Sequence, residues 1–389
     1  MKLPLPVNSL RGAIAAGMLL ATVAAPAAEA ACLVYVGTYT NGKSKGIYAY
    51  RMEPGNGSFT ALGLVAETPN PTFLEIEPSR GLLFAANEIT KFHGESAGAV
   101  SSFAIDTASG KLKPLNQQSS RGPGPCHVGV DATGKNVLVA NYTGGSVALL
   151  PVAADGRLGA ATSFFQHAGK GVDPGRQEGP HAHFVTTDAA NRYAFACDLG
   201  LDEILIYKLD PLKGVLTPND PPFANVKAGS GPRHLAFGRD GRQVYVLNEM
   251  TATVTAFNYD AVRGQMKEFQ TVAALPEGFH GGFSGAEVFL HPSGKFLYTS
   301  NRGANTIAAF RIQPGTGALS LISQTATQGK TPRSFGIDPT GKFLLAANQD
   351  SGTIVIFQID EASGELSPTG KVLEVPSPVC VKFLSLAGK

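Results

Sequence analysis

The chain has 389 residues, 43% of them hydrophobic and only 16% charged, with a formal net charge of +2. That balance provides for a sizeable buried core. Lys and Arg are scattered and form no stripe, which argues against a nucleic-acid partner. Forty-six glycines and twenty-six prolines, with almost no helical apolar periodicity, predict an all-β chain rich in tight turns.

In chain order, Lys2 and Arg11 precede an apolar run from Gly12 to Ala25 and the small-residue stretch PAAEAAC. This is the layout of a secretory signal peptide over residues 1–30, cleaved after Ala30, and it predicts an exported protein, periplasmic or secreted. The run is too short for a membrane span, so no membrane anchor is expected. Cys32, Cys126, Cys197 and Cys380 lie far apart and in no metal-like spacing. They read as free thiols that behave as small apolar residues.

From residue 31 to 389 a repeat organises the chain: an apolar strand, a turn resembling D-P-T-G-K, a second apolar strand ending in Asn, then a third strand. The turns begin at Glu77, Asp131, Asp188, Gly238, His291 and Asp338, and ten residues later come Asn87, Asn141, Asp198, Asn248, Asn301 and Asn348. Third strands are visible as VSSFAID, VTAFNYD, IAAFRIQ and IVIFQID. A period of roughly 50 residues is that of a four-stranded propeller blade. LVYVGTYT, near the start, matches a second strand, and PVCVKF, near the end, matches a first strand. Their pairing in one blade predicts a seven-bladed β-propeller with no open sheet edge.

The end of each second strand meets the start of each first strand at one rim. Five residues before each turn lie Thr72, Cys126, His183, Arg233, Ala286 and Arg333; eleven residues after it lie Glu88, Tyr142, Leu199, Glu249, Arg302 and Gln349. With a five-residue hairpin the two sets share a sheet face, so His183, Arg233, Glu249, Arg302 and Arg333 are expected around one mouth. The stretch QEGPHAHF, Gln177 to Phe184, follows Arg176 and adds a second imidazole, His181, which strand alternation points the same way as His183. The repeated Asn reads as structural, its amide serving a turn backbone. His127, His234 and His291 read as hydrogen-bonded structural residues, with His127 also a candidate substrate contact beside Arg333 and Arg176. The H-x-H pair could hold a metal with Asp198 or Glu178 as third ligand; the expectation is no metal and no cofactor. GGFSG, Gly281 to Gly285, lacks the strand-turn-helix setting of a nucleophilic serine.

VYVGTYT, QEGPHAH, GPRH, VLNE, SNRG and TPRSFGIDPTGKFLLAANQ together resemble the seven-bladed propeller lactonase family, of the 6-phosphogluconolactonase and carboxy-cis,cis-muconate cyclase type, over essentially the whole chain after the leader. The resemblance implies lactone hydrolysis without a required metal, with an active-site group of one His (His181 or His183), Arg233, Glu249 and Arg302. The expected substrate is a sugar-acid lactone, 6-phosphogluconolactone or, for an exported protein, an unphosphorylated aldonolactone, acted on by a monomer. His183 is the expected base, with the arginines stabilising the oxyanion. The alternatives are an exported propeller that binds a ligand or protein without catalysis, and a lactonase that depends on calcium at the Asn ring.

Overall fold

A computed structural model describes residues 1–5 and 30–386. The expected leader lies almost wholly outside the described residues. Twenty-eight strands form seven four-stranded antiparallel sheets, and no described residue is helical. The last strand, Pro378–Ser385, pairs with the first, Cys32–Thr38, and becomes the innermost strand of the blade that closes the ring. Innermost strands touch in sequence around the axis, from Pro71–Glu77 through to Pro378–Ser385 and back.

The second strand of each blade explains the apolar runs. Leu82–Asn87 and Phe343–Asn348 are buried along their whole length, because neighbouring blades cover both sheet faces. Outermost strands such as Leu112–Ser119 carry exposed residues. Blades adhere through side chains of facing sheets: Leu138, Ala140 and Val147 pack against Ala194, Ala196 and Tyr207 of the next blade. All four cysteines are free and buried, Cys32, Cys197 and Cys380 within these layers.

The D-P-T-G-K turns are held by their first residue. The Asp131 carboxylate accepts from the backbone N–H groups of Lys135 and Asn136, Asp188 does the same in its blade, and Asp338 accepts from those of Thr340 and Phe343. Glycine is needed at Gly134 and Gly341, whose φ values are 67° and 79°. The hairpins correct one expectation: Glu77 pairs with Leu82, so the turn has four residues and not five.

A bulge makes up the difference. In every blade the innermost strand carries one near its start, on Thr72, Cys126, His183, Arg233, Ala286 with Glu287, Arg333 and Val379. A bulge leaves its extra residue out of the ladder and re-aims its side chain. Beyond it the register slips back by one, so Pro71 faces Asn87 and Pro232 faces Asn248 at the rim. Proline precedes the bulge in five blades, at 71, 125, 232, 332 and 378. It fits there because a strand's first residue can lack a donor. The strand-end asparagines are structural: Asn87, Asn141, Asn301 and Asn348 each donate to a carbonyl in the loop before the innermost strand.

Candidate active site

The bulged residues line the axial channel just below one rim, and the residues that end the second strands crown it. Tyr39, Glu88, Cys126, Tyr142, Arg176, His183, Glu249, Arg302 and Arg333 enclose a cavity of ≈ 210 Å³. Arg233 lies directly beneath, 1% exposed.

Glu249 organises the charges. Its Oε2 accepts from Arg233 Nε at 2.8 Å and Arg302 Nη2 at 2.9 Å, and its Oε1 from Arg176 Nη2 at 2.6 Å. Burial pushes this carboxyl up, but Arg302, Arg233 and Arg176 outweigh it and hold it at about 2. Burial also brings Arg302 down to about 10, against the pull of Glu249, and lowers Arg233. Arg302 and Arg233 donate further to the carbonyls of Gly285 and Ala286.

Arg333 is placed differently. Its guanidinium lies 5.4 Å above the Tyr39 ring, while the Tyr39 hydroxyl donates to Glu88 at 3.0 Å. No carboxylate lies within ion-pair distance of Arg333 among the described residues. Four guanidinium groups therefore face two carboxylates, Glu249 and Glu88, and the mouth carries excess positive charge.

His183 is buried among these arginines. Burial, reinforced by Arg233, His234, Arg333 and Arg302, lowers its pKa well below 6.5, so the ring is neutral at pH 7. Among the described residues no group hydrogen-bonds either ring nitrogen; Nδ1 is sealed in, whereas Nε2 is not, and the residue lines the cavity. His181 differs. It precedes the strand, stacks on Tyr142 at 4.6 Å, donates from Nδ1 to the Tyr142 carbonyl at 3.1 Å and has Nε2 3.3 Å from Glu178. Acceptors face both nitrogens, and His181 is not among the residues that enclose the cavity. The bulge, not strand alternation, aims His183 at the channel.

Arg176 belongs to the long loop before His181, which Asp198 anchors. Where other blades have Asn, this carboxylate accepts from the N–H groups of His181 at 2.7 Å and Gly200 at 3.0 Å, and from His167 Nδ1 at 2.6 Å. Gly200 is required because a Cβ there would sit 1.9 Å from the Gly179 carbonyl oxygen. Asp198→Asn, which replaces one of the two accepting oxygens by an NH2 donor, is expected to cost about 1–3 kcal/mol. Urea unfolding checks it, and an unchanged midpoint would remove Asp198 as the anchor.

His127 is not at the mouth. It sits one layer deeper, between Phe73 at 4.0 Å and Phe184 at 4.1 Å, in a plug with His234. His234 donates from Nδ1 to the buried carboxylate of Glu287 at 2.7 Å, and Ser334 donates to the same carboxylate. Beyond the plug a larger cavity of ≈ 370 Å³ opens at the opposite end; it is lined by Glu75 and Lys382, paired at 2.8 Å, and by Glu287, which His234 and Ser334 hold. The uncompensated charge and free imidazole are at the mouth, which makes the mouth the candidate site. Among the described residues no three His, Cys, Asp or Glu side chains converge as a metal-ligand set. Ser284 begins a strand opposite Arg302 and has no base beside it.

The pattern of one family lies over this geometry. The model of the lactonase, 7-bladed beta-propeller family matches residues 33–383. The chain belongs to the seven-bladed β-propeller lactonase family. Among relatives of this lactonase, the 6-phosphogluconolactonase of Bacillus subtilis (strain 168) is 38% identical over 350 residues, covering 90% of this chain and 97% of its own. A 6-phosphogluconolactonase of Formosa agariphila is 34% identical over 309 residues, 78% of this chain and 86% of its own. Among solved structures, the periplasmic gluconolactonase of Pseudomonas aeruginosa superposes with a TM-score of 0.85 at 34% identity, covering 92% of this chain and 99% of that one. These relatives make the chain a lactone-hydrolysing enzyme and set it apart from a propeller that only binds.

Two residues around the lactonase channel escaped the residue count. Tyr39 occupies the position of Glu88 in the closing blade, but that blade has no internal turn to count from. Glu287 is the second residue of a two-residue bulge, and only the pairing of Gly285 with Asn301 and of Val288 with Thr299 reveals it.

Proposed function

We propose that this lactonase opens sugar-acid lactones by direct attack of water, with His183 as base. The observation that carries the reading is a neutral, unpartnered imidazole set in a ring of arginines whose charge Glu249 and Glu88 only partly balance. Nε2 of His183 takes a proton from the attacking water as its oxygen bonds to the lactone carbonyl carbon. Arg302 and Arg233 face the oxyanion that forms, and a planar guanidinium suits such an oxygen. Collapse of the intermediate breaks the carbon–oxygen bond of the ring, and the imidazolium returns its proton to the departing alkoxide. The product is the hydroxy acid. Glu249, with its carboxyl near 2, keeps the arginines in place and moves no proton. Both His181 nitrogens face acceptors, which favours His183.

Arg333 is assigned to a phosphate or carboxylate on the substrate, which favours 6-phosphogluconolactone, the substrate in the names of the Bacillus and Formosa relatives. The pattern of the first thirty residues favours a second substrate. We infer from it that the protein is exported, where it would meet unphosphorylated aldonolactones, as the Pseudomonas gluconolactonase does by its name.

A pH-indicator assay on glucono-δ-lactone and its 6-phosphate, with and without a chelator, tests both readings. Acid release well above the spontaneous rate is expected and is unaffected by the chelator; the higher kcat/KM of the two identifies the substrate. Since burial holds His183 neutral well below pH 6.5, kcat/KM corrected for spontaneous hydrolysis is expected to stay flat from pH 6 to 8 and to fall only in acid. An inflection near 6.5 would remove a buried His183 as the base, and no release from either lactone would remove the substrate class.

A further inference from the structure

Directly under the mouth, Thr72, Cys126, His183, Arg233, Glu287 and Arg333 surround a second, much smaller space, in which the centre of a water molecule can range over ≈ 10 Å³. That is room for about one water. Two polar atoms on the residues that line it, His183 Nδ1 and Thr72 Oγ1, are sealed from solvent and have no hydrogen-bond partner among the described residues. Buried polar atoms are nearly always paired, with protein or with ordered water. Both atoms occur on bulged residues, one in each of two blades that flank Cys126. Thr72 is only 3% exposed and His183 5%.

We propose that a single buried water bridges His183 Nδ1 and Thr72 Oγ1 and holds the imidazole in place, which makes Thr72 a positioning residue for catalysis. In the tautomer that acts as base, the water accepts from His183 Nδ1–H and donates to the threonine hydroxyl, and the Nε2 lone pair faces the mouth cavity, ready to accept from the attacking water. The hydrogen bond made by the second nitrogen of a catalytic imidazole orients the ring. Here that partner is solvent trapped by a hydroxyl from across the channel, where other histidine bases use a carboxylate. Glu287, the carboxylate nearest by position, is already committed to His234 and Ser334. This inference rests on the assignment of His183 as base.

The test uses the full chain and the pair Thr72→Val and Thr72→Ser. Valine keeps the branched shape that suits the strand and removes only the hydroxyl. Thr72→Val is expected to lower kcat about tenfold with KM unchanged, and Thr72→Ser to restore it to within about twofold. Crystal structures at a resolution that shows ordered solvent are expected to place one water between residue 72 and His183 in the wild type and the Ser variant, and none in the Val variant. Wild-type kcat and pH profile in Thr72→Val would overturn the proposal, as would a wild-type structure in which Nδ1 bonds directly to a protein group. If the wild type opens no lactone, the base assignment falls, and the electron density alone then decides whether the water site exists.

Discussion

Glu249→Ala is expected to cost about 3–5 kcal/mol of stability and to lower kcat/KM about a thousandfold. The carboxylate is 5% exposed and receives three guanidinium groups, two of them from the propeller frame. Removing it leaves Arg233 and Arg302 buried beside each other with no carboxylate within ion-pair distance among the described residues, so the penalty is that of stranded cations and not of one lost contact. Arg176 adds little to the stability term, because its side chain is 43% exposed and solvent screens it. Activity falls because the arginines lose the geometry that meets the oxyanion. Glu249→Gln keeps the volume but presents one oxygen to three donors, and is expected to lose most of the activity as well. The sign of the pH effect follows from the depressed carboxyl. Glu249 titrates at about 2 when folded against an ordinary 4.5, so its stabilisation is complete above 4.5 and is lost as pH falls towards 2. The penalty for Glu249→Ala is expected to shrink over that same window in urea titrations. Normal turnover in the Ala variant would end the assignment.

The second large effect separates chemistry from folding. His183→Leu is expected to lower kcat by about 10²–10⁴-fold while changing stability by less than about 1 kcal/mol. The native ring makes no hydrogen bond to the protein, so an apolar side chain of similar size removes no protein partner. His181→Leu serves as the contrast: it loses the stack on Tyr142 and the bond to its carbonyl, and should affect stability more than chemistry. The measurement is kcat alongside the thermal midpoint for both variants. Equal losses of kcat in the two would return the choice of base to an open question.

Much of this arrangement was legible in the sequence, because a repeat converts spacing into position. The closure of the ring followed from two half-blades at opposite ends, and Arg233, Glu249, Arg302 and Arg333 fell at one rim by counting from the turns. The five-residue hairpin was wrong by one residue, yet the count succeeded because the bulge restores the register just where the mouth begins. The direction of His183 was not legible for the same reason. Alternation treats every residue as paired, and the bulge takes this one out of the ladder. Arg176 could be named as a candidate but not joined to Glu249, since its loop, 167–181, is longer than its counterparts among the described residues and lies outside the repeat's register. His127 was misplaced by one layer: it follows the bulge by one residue and so faces the plug. Asp198 looked like a variant of the repeated Asn, and only the approach of His167 shows why the amide was exchanged for an acid.

The ring of bulges separates what the lactonase is built from and what it does. Each blade offers the channel one side chain that takes no part in sheet pairing, and across the seven blades that position accepts residues as different as Thr, Cys, His, Arg and Val on the same backbone path. The ladders on either side do not register the exchange. A combinatorial library confined to positions 126 and 379 would therefore resculpt the floor of the reaction chamber while sparing the framework. Selectivity among lactones could be retuned there without spending the cohesion between blades.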